Sequence, residues 1–373
     1  MNNFAHPPGT FEILKRASGS FARLGRLWTA HGVVETPAFL PVGSKGAVKT
    51  VSPAELKMLG VQMILSNTYH LVIRPGIEII ETAGGLHKFM GWDGPILTDS
   101  GGYQIFSLAK LVKIRDGGVE FASHIDGKRF FIGPAECMEI QRRLGSDIVM
   151  CFDECLPYPC DREYACNSVE RTLAWALICK KTPLAQGQLV FGIVQGGEYK
   201  DLRIRCASRL KEIGFDGYAI GGVSVGEPEE LMIPAIENSV QELPYERPRY
   251  LMGVGKRHQI IQAVERGVDL FDCVMPTRYA RNGSAFTSNG SYHVKAGEYK
   301  ADTRPVEEGC GCYACQHFSR AYIRHLLNID EVLGIRLLTI HNIHWYMRFM
   351  EEVRNAIKND SLELLKEKLQ REE

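Results

Sequence analysis

Short apolar runs recur along the chain, and each of them ends in glycine or in polar residues. Runs of this kind, rich in Ile and Val, are typical of strands that are buried on both faces of a parallel sheet. The chain contains eight of them: FLPVGS from Phe39, MILSNTYH from Met63, ILTDSGG from Ile96, IVMCFDE from Ile148, FGIVQGG from Phe191, GYAIGG from Gly217, YLMGVG from Tyr250 and LFDCVMPT from Leu270.

The intervals between these runs mostly have the residue pattern of helices. Predicted helices span residues 55–59, 77–89 with a break at the glycines 84 and 85, 134–144, 163–180, 201–213, 229–243 and 259–266. The longer interval near residues 112–132 instead predicts a β excursion, because Asp-Gly pairs mark its turns. After Pro276 the pattern changes to a turn-rich insert, a cysteine cluster and a closing helix near residues 344–357.

Eight strands that alternate with helices predict an α/β protein with a (β/α)8 TIM barrel, whose active site would lie at the carboxyl ends of the strands. The alternative is a doubly wound open sheet, but no glycine-rich phosphate-binding fingerprint follows the first predicted strand. We expect residues 1–276 to form the barrel with its β insertion. Residues 277–373 would form a C-terminal metal-binding subdomain and closing helices, packed on the barrel.

Composition narrows the class of protein further. The chain has 373 residues, of which 45% are hydrophobic and 24% charged, and its formal net charge is zero. A nucleic-acid site would therefore be a local patch, such as the region from Thr277 to His325, where Lys and Arg outnumber Asp and Glu. No apolar run approaches the ~20 residues of a membrane span. The start of the chain lacks the hydrophobic segment of a signal peptide, so we expect a cytoplasmic protein without a membrane partner.

Three of the eleven cysteines form a candidate metal site. Cys310, Cys312 and Cys315 stand as C-x-C-x2-C, whereas the other eight are scattered through apolar segments as expected of buried, reduced thiols. Clustered thiolates suit one tetrahedral zinc, although three ordinary thiols in a loop are the alternative. The histidines close enough to complete the site are His317, His325, His341 and His344. The first two are constrained by their nearness to the cysteines, and spacing alone does not choose between the others. Four protein ligands would make the zinc structural.

Polar side chains follow four of the predicted strands directly. They are Asp99 in TDSGGYQ, Asp153 in CFDEC, Gln195 in GIVQGG and Asp272 in FDCVMP. A single Asp after a strand usually caps a helix or a turn. Four polar groups at the same end of one barrel are instead expected to meet in one pocket.

Glycine pairs and two large side chains follow the same strand ends. Gly101-Gly102, Gly196-Gly197 and Gly221-Gly222 would let the backbone approach a planar ligand closely, or would simply form tight turns. Tyr103 and Met252 could sandwich an aromatic base between them, or could belong to the core.

Motifs over most of the chain resemble those of the tRNA-guanine transglycosylases. They are LSNTYHLVIRPG, TDSGGYQIFSL, SHIDGKR, LGSDIVMCFDEC, GIVQGG, GYAIGG, RYLMGVG, FDCVMPTRYARNG, CGCYACQHFSRAYIRHL and TIHN. They stand in family order from about Pro37 to beyond His341. Together these motifs are highly specific.

The resemblance implies a zinc-containing barrel in which His341 is the fourth zinc ligand. It implies exchange of guanine at the wobble position of the tRNAs for Asp, Asn, His and Tyr. The incoming base is a 7-deazaguanine on the route to queuosine, and the exchange passes through a covalent enzyme–RNA intermediate. Asp272 would be the nucleophile and Asp99 the general acid/base. The family also works as a homodimer on the tRNA anticodon loop.

Further site residues follow from the same resemblance. Those expected to bind the base are Asp99, Ser100, Gly101, Gly102, Tyr103, Asp153, Gln195, Gly222, Val223 and Met252. Those expected to contact RNA are Gly253, Val254, Gly255, Lys256, Arg257, His258, Gln259, Thr277, Arg278, Tyr279, Ala280 and Arg281. Val223-Ser224 and Lys256-Arg257 depart from the pairs that are common in bacterial members.

Cys155 and Val225 resemble the bacterial type, which uses 7-aminomethyl-7-deazaguanine (preQ1), whereas members that use queuine have glycine at the Val225 position. A queuine-using enzyme is therefore the alternative substrate hypothesis. A non-catalytic tRNA-binding subunit is a further alternative, but it should have lost a catalytic carboxylate, and both Asp99 and Asp272 are present. A barrel metallohydrolase is disfavoured because the cysteine cluster follows the last strand.

Overall fold

The computed structural model describes residues 6–372, and strands alternate with helices through most of them. The strands are β1 (Phe11–Arg16), β2 (Arg23–Thr29), β3 (Gly32–Thr36), β4 (Ala38–Pro41), β5 (Ile64–Asn67), β6 (Ile96–Asp99), β7 (Lys110–Arg115), β8 (Gly118–Ala122), β9 (Arg129–Ile132), β10 (Ile148–Met150), β11 (Leu189–Val194), β12 (Gly217–Ile220), β13 (Arg249–Leu251), β14 (Leu270–Cys273), β15 (Ser284–Thr287) and β16 (Gly290–His293).

The α-helices are α1 (Pro53–Met58), α2 (Thr68–Ile73), α3 (Ile77–Thr82), α4 (Leu86–Met90), α5 (Gly102–Leu108), α6 (Pro134–Leu144), α7 (Arg162–Lys181), α8 (Lys200–Ile213), α9 (Met232–Val240), α10 (Arg257–Glu265), α11 (Met275–Arg281), α12 (Tyr313–His317), α13 (Arg320–Asn328), α14 (Val332–Lys358) and α15 (Leu362–Glu372). Short 3-10 helices span Glu229–Leu231 and Gly297–Ala301. Within the described part of the chain, none of these helices has the length and apolarity needed to cross a membrane.

Eight parallel strands form the barrel, in the order β4-β14-β13-β12-β11-β10-β6-β5. A parallel bridge between Val42 and Leu65 joins the two outer strands of this order and closes the barrel. Apolar side chains such as Leu40, Leu97 and Ile193 fill its interior and are almost fully buried. All eight predicted strands are therefore confirmed as the barrel strands, and the predicted α/β barrel fold is confirmed.

The predicted β excursion is confirmed as the antiparallel sheet β7-β8-β9. The predicted break at the two glycines is also confirmed, since α3 ends and α4 begins there. Residues 229–243 differ from the prediction, because a 3-10 turn comes first and α9 starts only at Met232. Pro234 lies in the first turn of α9, where its missing N–H costs no hydrogen bond, so the helix begins just before it.

The closing helix is longer than predicted. α14 starts at Val332 rather than near residue 344, and its buried face begins with Leu337 and Leu338 and continues to Ile357. Its second half packs into the same apolar cluster as strands β13 and β14, and the ring of Tyr346 stacks on Phe39 of β4. The cysteine cluster from Cys310 to Cys315 therefore lies, in the sequence, between the last barrel strand and the helix that covers the barrel.

A buried ion pair joins the antiparallel sheet β1-β2-β3 to the amino-terminal end of the barrel. The Arg23 guanidinium donates to both carboxylate oxygens of Asp269, at 2.9 and 2.7 Å, and both side chains are fully buried. The backbone N–H of Arg249 donates to the same carboxylate at 2.7 Å. Asp269 thus connects β2 to the starts of β13 and β14.

We expect Asp269→Asn to destabilise the protein strongly, because it leaves the Arg23 charge buried without its counter-ion. Breaking one partner of a buried pair costs about 3–5 kcal/mol, which thermal or urea unfolding would measure. Asp360→Asn is the matched control, since Asp360 pairs with Lys15 at the surface and has a positive φ of 51° that Asn tolerates. Equal unfolding midpoints for the two variants would contradict the stabilising role of the buried Arg23–Asp269 pair.

Candidate active site and metal centre

One cavity of about 560 Å³ opens at the carboxyl ends of the barrel strands. Asp99 is the last residue of β6 and Asp272 lies in β14, while Asp153 and Gln195 follow β10 and β11. All four side chains line the cavity and are at most 9% exposed. The parallel barrel thus brings together polar groups that are far apart in the sequence.

The Asp99 carboxylate is held by three donors from nearby strand ends. The Asn67 amide donates to Oδ2 at 2.5 Å, and the backbone N–H groups of Thr68 and Gly101 donate to Oδ1 at 3.1 Å. Burial raises the pKa of Asp99 to about 7, and the nearby charges of Asp272 and Asp153 also raise it. This carboxyl can therefore be protonated or ionised near neutral pH.

The Asp272 carboxylate is held through one of its two oxygens. Oδ1 accepts the hydroxyl of Tyr250 at 2.6 Å and the N–H of Gly253 at 2.8 Å. Burial raises the pKa of Asp272, whereas these two hydrogen bonds lower it. Both donors favour the ionised form, and they leave the second oxygen available toward the cavity.

Asp153 and Gln195 form a hydrogen-bonded pair. The Gln195 amide N–H donates to Asp153 Oδ2 at 2.7 Å, and the Ser100 hydroxyl donates to Oδ1 at 3.0 Å. Burial raises the pKa of Asp153 to about 6. The amide oxygen of Gln195 is buried and has no hydrogen-bond partner among the described residues. A buried acceptor without a partner is costly, so this oxygen is suited to accept an N–H from a bound ligand.

The glycines around this pair are needed for close packing. A Cβ on Gly222 would lie 2.5 Å from Gln195 Oε1, and one on Gly102 would lie 2.8 Å from the backbone oxygen of Asp153. Gly222 also has a φ of 62°. The buried Arg203 guanidinium donates to the carbonyls of Gly221 and Gly222 at 3.1 and 3.0 Å, and it fixes this turn beside the cavity.

The remaining residues expected at the base lie around the same cavity, with one exception. Ser100, Gly101, Tyr103, Gly222, Val223 and Met252 line it, as do Cys155 and Val225, which distinguish the two substrate hypotheses. Tyr103 is 48% exposed, so its ring is accessible to a ligand. Gly102 contacts Asp153 behind the cavity instead.

Four of the twelve residues expected to contact RNA line the cavity, and the other eight lie outside it. Gly253, Thr277, Arg278 and Arg281 line the cavity. Val254, Arg257, Gln259 and Ala280 are buried, Gly255 packs against Cys273, and Tyr279 stacks on Phe286. Lys256 and His258 both pair with Glu229.

Three residues that support the site were not identified in the sequence analysis. Asn67 ends the strand next to β6, so its position at a strand end was a usable signal. Tyr250 lies in the middle of a buried strand and has the pattern of a core aromatic residue, while Arg203 is one of several charged residues on α8. The local sequence does not indicate the role of Tyr250 or Arg203, because their partners are brought close only when the barrel forms.

Cys310, Cys312, Cys315 and His341 form a compact buried cluster, in which all four ligand atoms lie within 4.8 Å of one another. His341 Nδ1 lies 3.7, 3.6 and 3.4 Å from the three sulfurs. A tetrahedral zinc with sulfur and nitrogen ligands separates such atoms by roughly 3.5 Å. His341 Nε2 lies 2.6 Å from the carbonyl of Phe286, which orients Nδ1 toward the sulfurs. The residues fit a metal ion, and of the two histidines left open by the spacing, His341 belongs to this cluster.

A parallel barrel with buried carboxylates in a cavity at the carboxyl ends of its strands has the architecture of an enzyme active site. The family model described as queuine tRNA-ribosyltransferase matches residues 18–373. The chain belongs to this family, and it is an enzyme of the tRNA-guanine transglycosylase class.

Similar proteins with the name queuine tRNA-ribosyltransferase occur in several bacteria. The chain is 54% identical over 355 residues to one from Desulforamulus reducens, covering 95% of this chain and 96% of the relative. It is 55% identical over 349 residues to one from Pelotomaculum thermopropionicum, covering 94% of each. A relative from Staphylococcus epidermidis is 54% identical over 357 residues, covering 95% of this chain and 94% of the relative.

We expect Cys312→Ala to lower the bound metal and the thermal stability together, because a structural metal contributes to the free energy of folding. Metal analysis of the purified protein and a thermal melt measure the two effects. Cys166→Ala on α7 is the control, since Cys166 lies outside the cluster and should leave both unchanged. Full stability of a metal-free Cys312→Ala protein would contradict a structural metal.

Proposed function

We propose that this enzyme exchanges guanine at the wobble position of the GUN-anticodon tRNAs for Asp, Asn, His and Tyr. The incoming base is preQ1, so the exchange serves queuosine biosynthesis. The observation that carries the proposal is that Asp272 and Asp99 are buried in one cavity with different hydrogen-bond partners. Such a difference lets one carboxylate attack while the other transfers a proton.

Asp272 is the proposed nucleophile. Its Oδ1 is occupied by Tyr250 and Gly253, so Oδ2 is the oxygen that bonds to the anomeric carbon of the ribose. As this bond forms, the bond from the ribose to guanine breaks, and its electron pair leaves with the base. The incoming base then displaces Asp272 from the same carbon, and the configuration is retained after the two displacements.

Asp99 is the proposed general acid/base. In the first step it gives a proton to the departing guanine, and in the second it takes one from the ring nitrogen of the incoming base. A pKa of about 7 suits both tasks, because the carboxyl is readily protonated and readily deprotonated near neutral pH.

The base would be recognised by groups that already line the cavity. Asp153 offers a carboxylate to ring and amino N–H donors, and Gln195 offers its unpaired oxygen. The backbone of Gly222 would read the same edge of the base. Tyr103 would stack on one face and Met252 would contact the other, since both line the cavity.

The anticodon loop would bind at the mouth of the cavity. Arg278 and Arg281 line it next to Thr277, and Lys49 adds a further positive charge. Such groups suit the phosphates on both sides of a base that has left its stack. Residues 253–259 remain the other proposed RNA-contacting segment, and its Lys256 would have to exchange Glu229 for phosphate. We propose residues 277–373 as the subdomain that supports these contacts.

The metal is proposed to be one structural zinc per chain, because three thiolates and one imidazole form a closed tetrahedral site. None of the eleven cysteines, all of which lie in the described part of the chain, forms a disulfide bond, and this supports the proposed location in the reducing cytoplasm. The family resemblance supports a homodimer, and the exposed Tyr313 and Tyr322 of the metal-binding region offer aromatic surface for it.

The proposed roles predict different behaviour for two aspartate variants. Asp272→Asn should abolish base exchange and the covalent enzyme–RNA adduct, because the nucleophile is lost. Asp99→Asn should slow exchange by roughly 10²–10⁴-fold and still allow some adduct, since it never bonds to the ribose. Incorporation of labelled guanine and a denaturing gel with a guanine-containing anticodon stem-loop measure these effects.

Two outcomes would overturn these assignments. If Asp272→Asn formed the adduct and Asp99→Asn did not, the two roles would be reversed. If neither variant lost exchange, the mechanism would be wrong. Asp126→Asn in the exposed β8–β9 turn is a control that should keep full activity.

Val225 is expected to select preQ1 over the larger base queuine. It lines the cavity, as does Cys155, and we propose that its side chain limits the space for a substituent on the base. Val225→Gly should therefore improve the use of queuine relative to preQ1 in a labelled-guanine chase. An unchanged ratio of queuine use to preQ1 use would mean that residues other than Val225 select the base. Efficient use of queuine by the unaltered enzyme would favour queuine as the substrate.

A further inference from the structure

A second group of side chains that could bind a metal lies at the amino-terminal end of the barrel, where strand β10 begins. His31 is in the turn between β2 and β3, His87 is in α4, and Asp147 immediately precedes β10. Their ligand atoms all lie within 4.8 Å of one another. The proposed base exchange does not use these residues.

The two imidazoles direct one nitrogen each at the same carboxylate. His31 Nδ1 lies 2.9 Å from Asp147 Oδ1, and His87 Nε2 lies 3.1 Å from Oδ2. The two rings stack with their centroids 3.7 Å apart and an angle of 19° between their planes. The two nitrogens therefore lie within 4.8 Å of each other and of the carboxylate oxygens.

Asp147 would have a hydrogen-bond donor to each carboxylate oxygen even without the two imidazoles. The backbone N–H of His31 donates to Oδ1 at 3.0 Å, and that of Ile96 donates to Oδ2 at 2.9 Å. Each oxygen thus already has a backbone donor. The imidazoles add two nitrogen ligands to a carboxylate that is held in a fixed orientation.

We propose that His31, His87 and Asp147 bind a divalent transition-metal ion such as zinc. Two imidazoles and one carboxylate suit this class of ion, and ligand atoms around one zinc lie roughly 3–3.5 Å apart. The nitrogen–oxygen distances of 2.9 and 3.1 Å are close to that range. The Asp147 side chain is fully buried, while His87 is 12% and His31 39% exposed, so an ion can enter from solvent and keep a water ligand.

The bound ion would connect three segments that are distant in the sequence. His31 is 116 residues from Asp147, and His87 is 60 residues from it. The ion would join the β2–β3 hairpin and α4 to the start of β10. It would stabilise the folded chain by an amount that grows with the logarithm of the ion concentration above its dissociation constant.

The test uses substitutions that keep the hydrogen bonds and remove the metal ligands. The Asn amide can place an N–H near the position of Nδ1 of His31, and the Gln amide near that of Nε2 of His87. The unaltered protein and the double variant His31→Asn/His87→Gln are dialysed against micromolar Zn²⁺ under identical conditions. Metal per chain is then measured.

We expect two zinc ions per chain in the unaltered protein and one in the double variant, which keeps the Cys310 cluster. Added Zn²⁺ should also raise the melting temperature of the unaltered protein and not that of the double variant. Mg²⁺ at the same concentration should not displace the second ion, because it prefers oxygen ligands.

One zinc per chain in the unaltered protein, or two in the double variant, would overturn the proposal. So would displacement of the second ion by Mg²⁺. If the double variant does not fold, the single variant His31→Asn at the exposed ligand replaces it with the same expected loss. None of these outcomes depends on base exchange, so the proposal can fail while the proposed function stands.

Discussion

A carboxylate loses its hydration when it is buried, and three of them are buried together at the mouth of this barrel. Each receives a side-chain donor from the neighbouring strand. Asn67 ends β5 and donates to Asp99 of β6. The two residues are partners in the register of these strands, so their side chains lie side by side. Gln195 follows β11 and donates to Asp153 beyond β10, and Tyr250 of β13 donates to Asp272 of β14. The register of adjacent parallel strands is therefore the constraint on which the site depends.

The same arrangement gives the carboxylates different properties. The two donors to Asp272 share one oxygen and favour its ionised form, which leaves the second oxygen for the proposed attack on the ribose. Asp99 is buried near two other carboxylates, and its pKa is raised to about 7. The same type of side chain can thus serve as a nucleophile at one position and as a proton carrier at another. The neighbours of each carboxylate set its role.

The barrel was predictable from the sequence because each of its strands is a short apolar run that ends in glycine or polar residues. Asp99 and Asp272 could be named as candidate site residues because each stands where an apolar run gives way to polar residues. Tyr250 and Arg203 could not, since a buried tyrosine or a helical arginine has no local pattern that reveals its partner. The sheet β1-β2-β3 was not predicted, although β1 alternates regularly between half-buried and exposed positions. Strand β2 lacks this regularity, and it is held by long-range contacts such as Arg23 to Asp269.

Helix α14 connects the metal centre to the active site. His341 belongs to the cysteine cluster, and the next residue, Asn342, donates to the carbonyl of Pro276 at 3.1 Å. One turn further, the Tyr346 hydroxyl donates to the carbonyl of Gly255 at 2.8 Å. Both carbonyls belong to segments that follow the strands of Tyr250 and Asp272. A metal ion far from the chemistry would therefore fix one face of this helix, and through it the backbone on both sides of the proposed nucleophile.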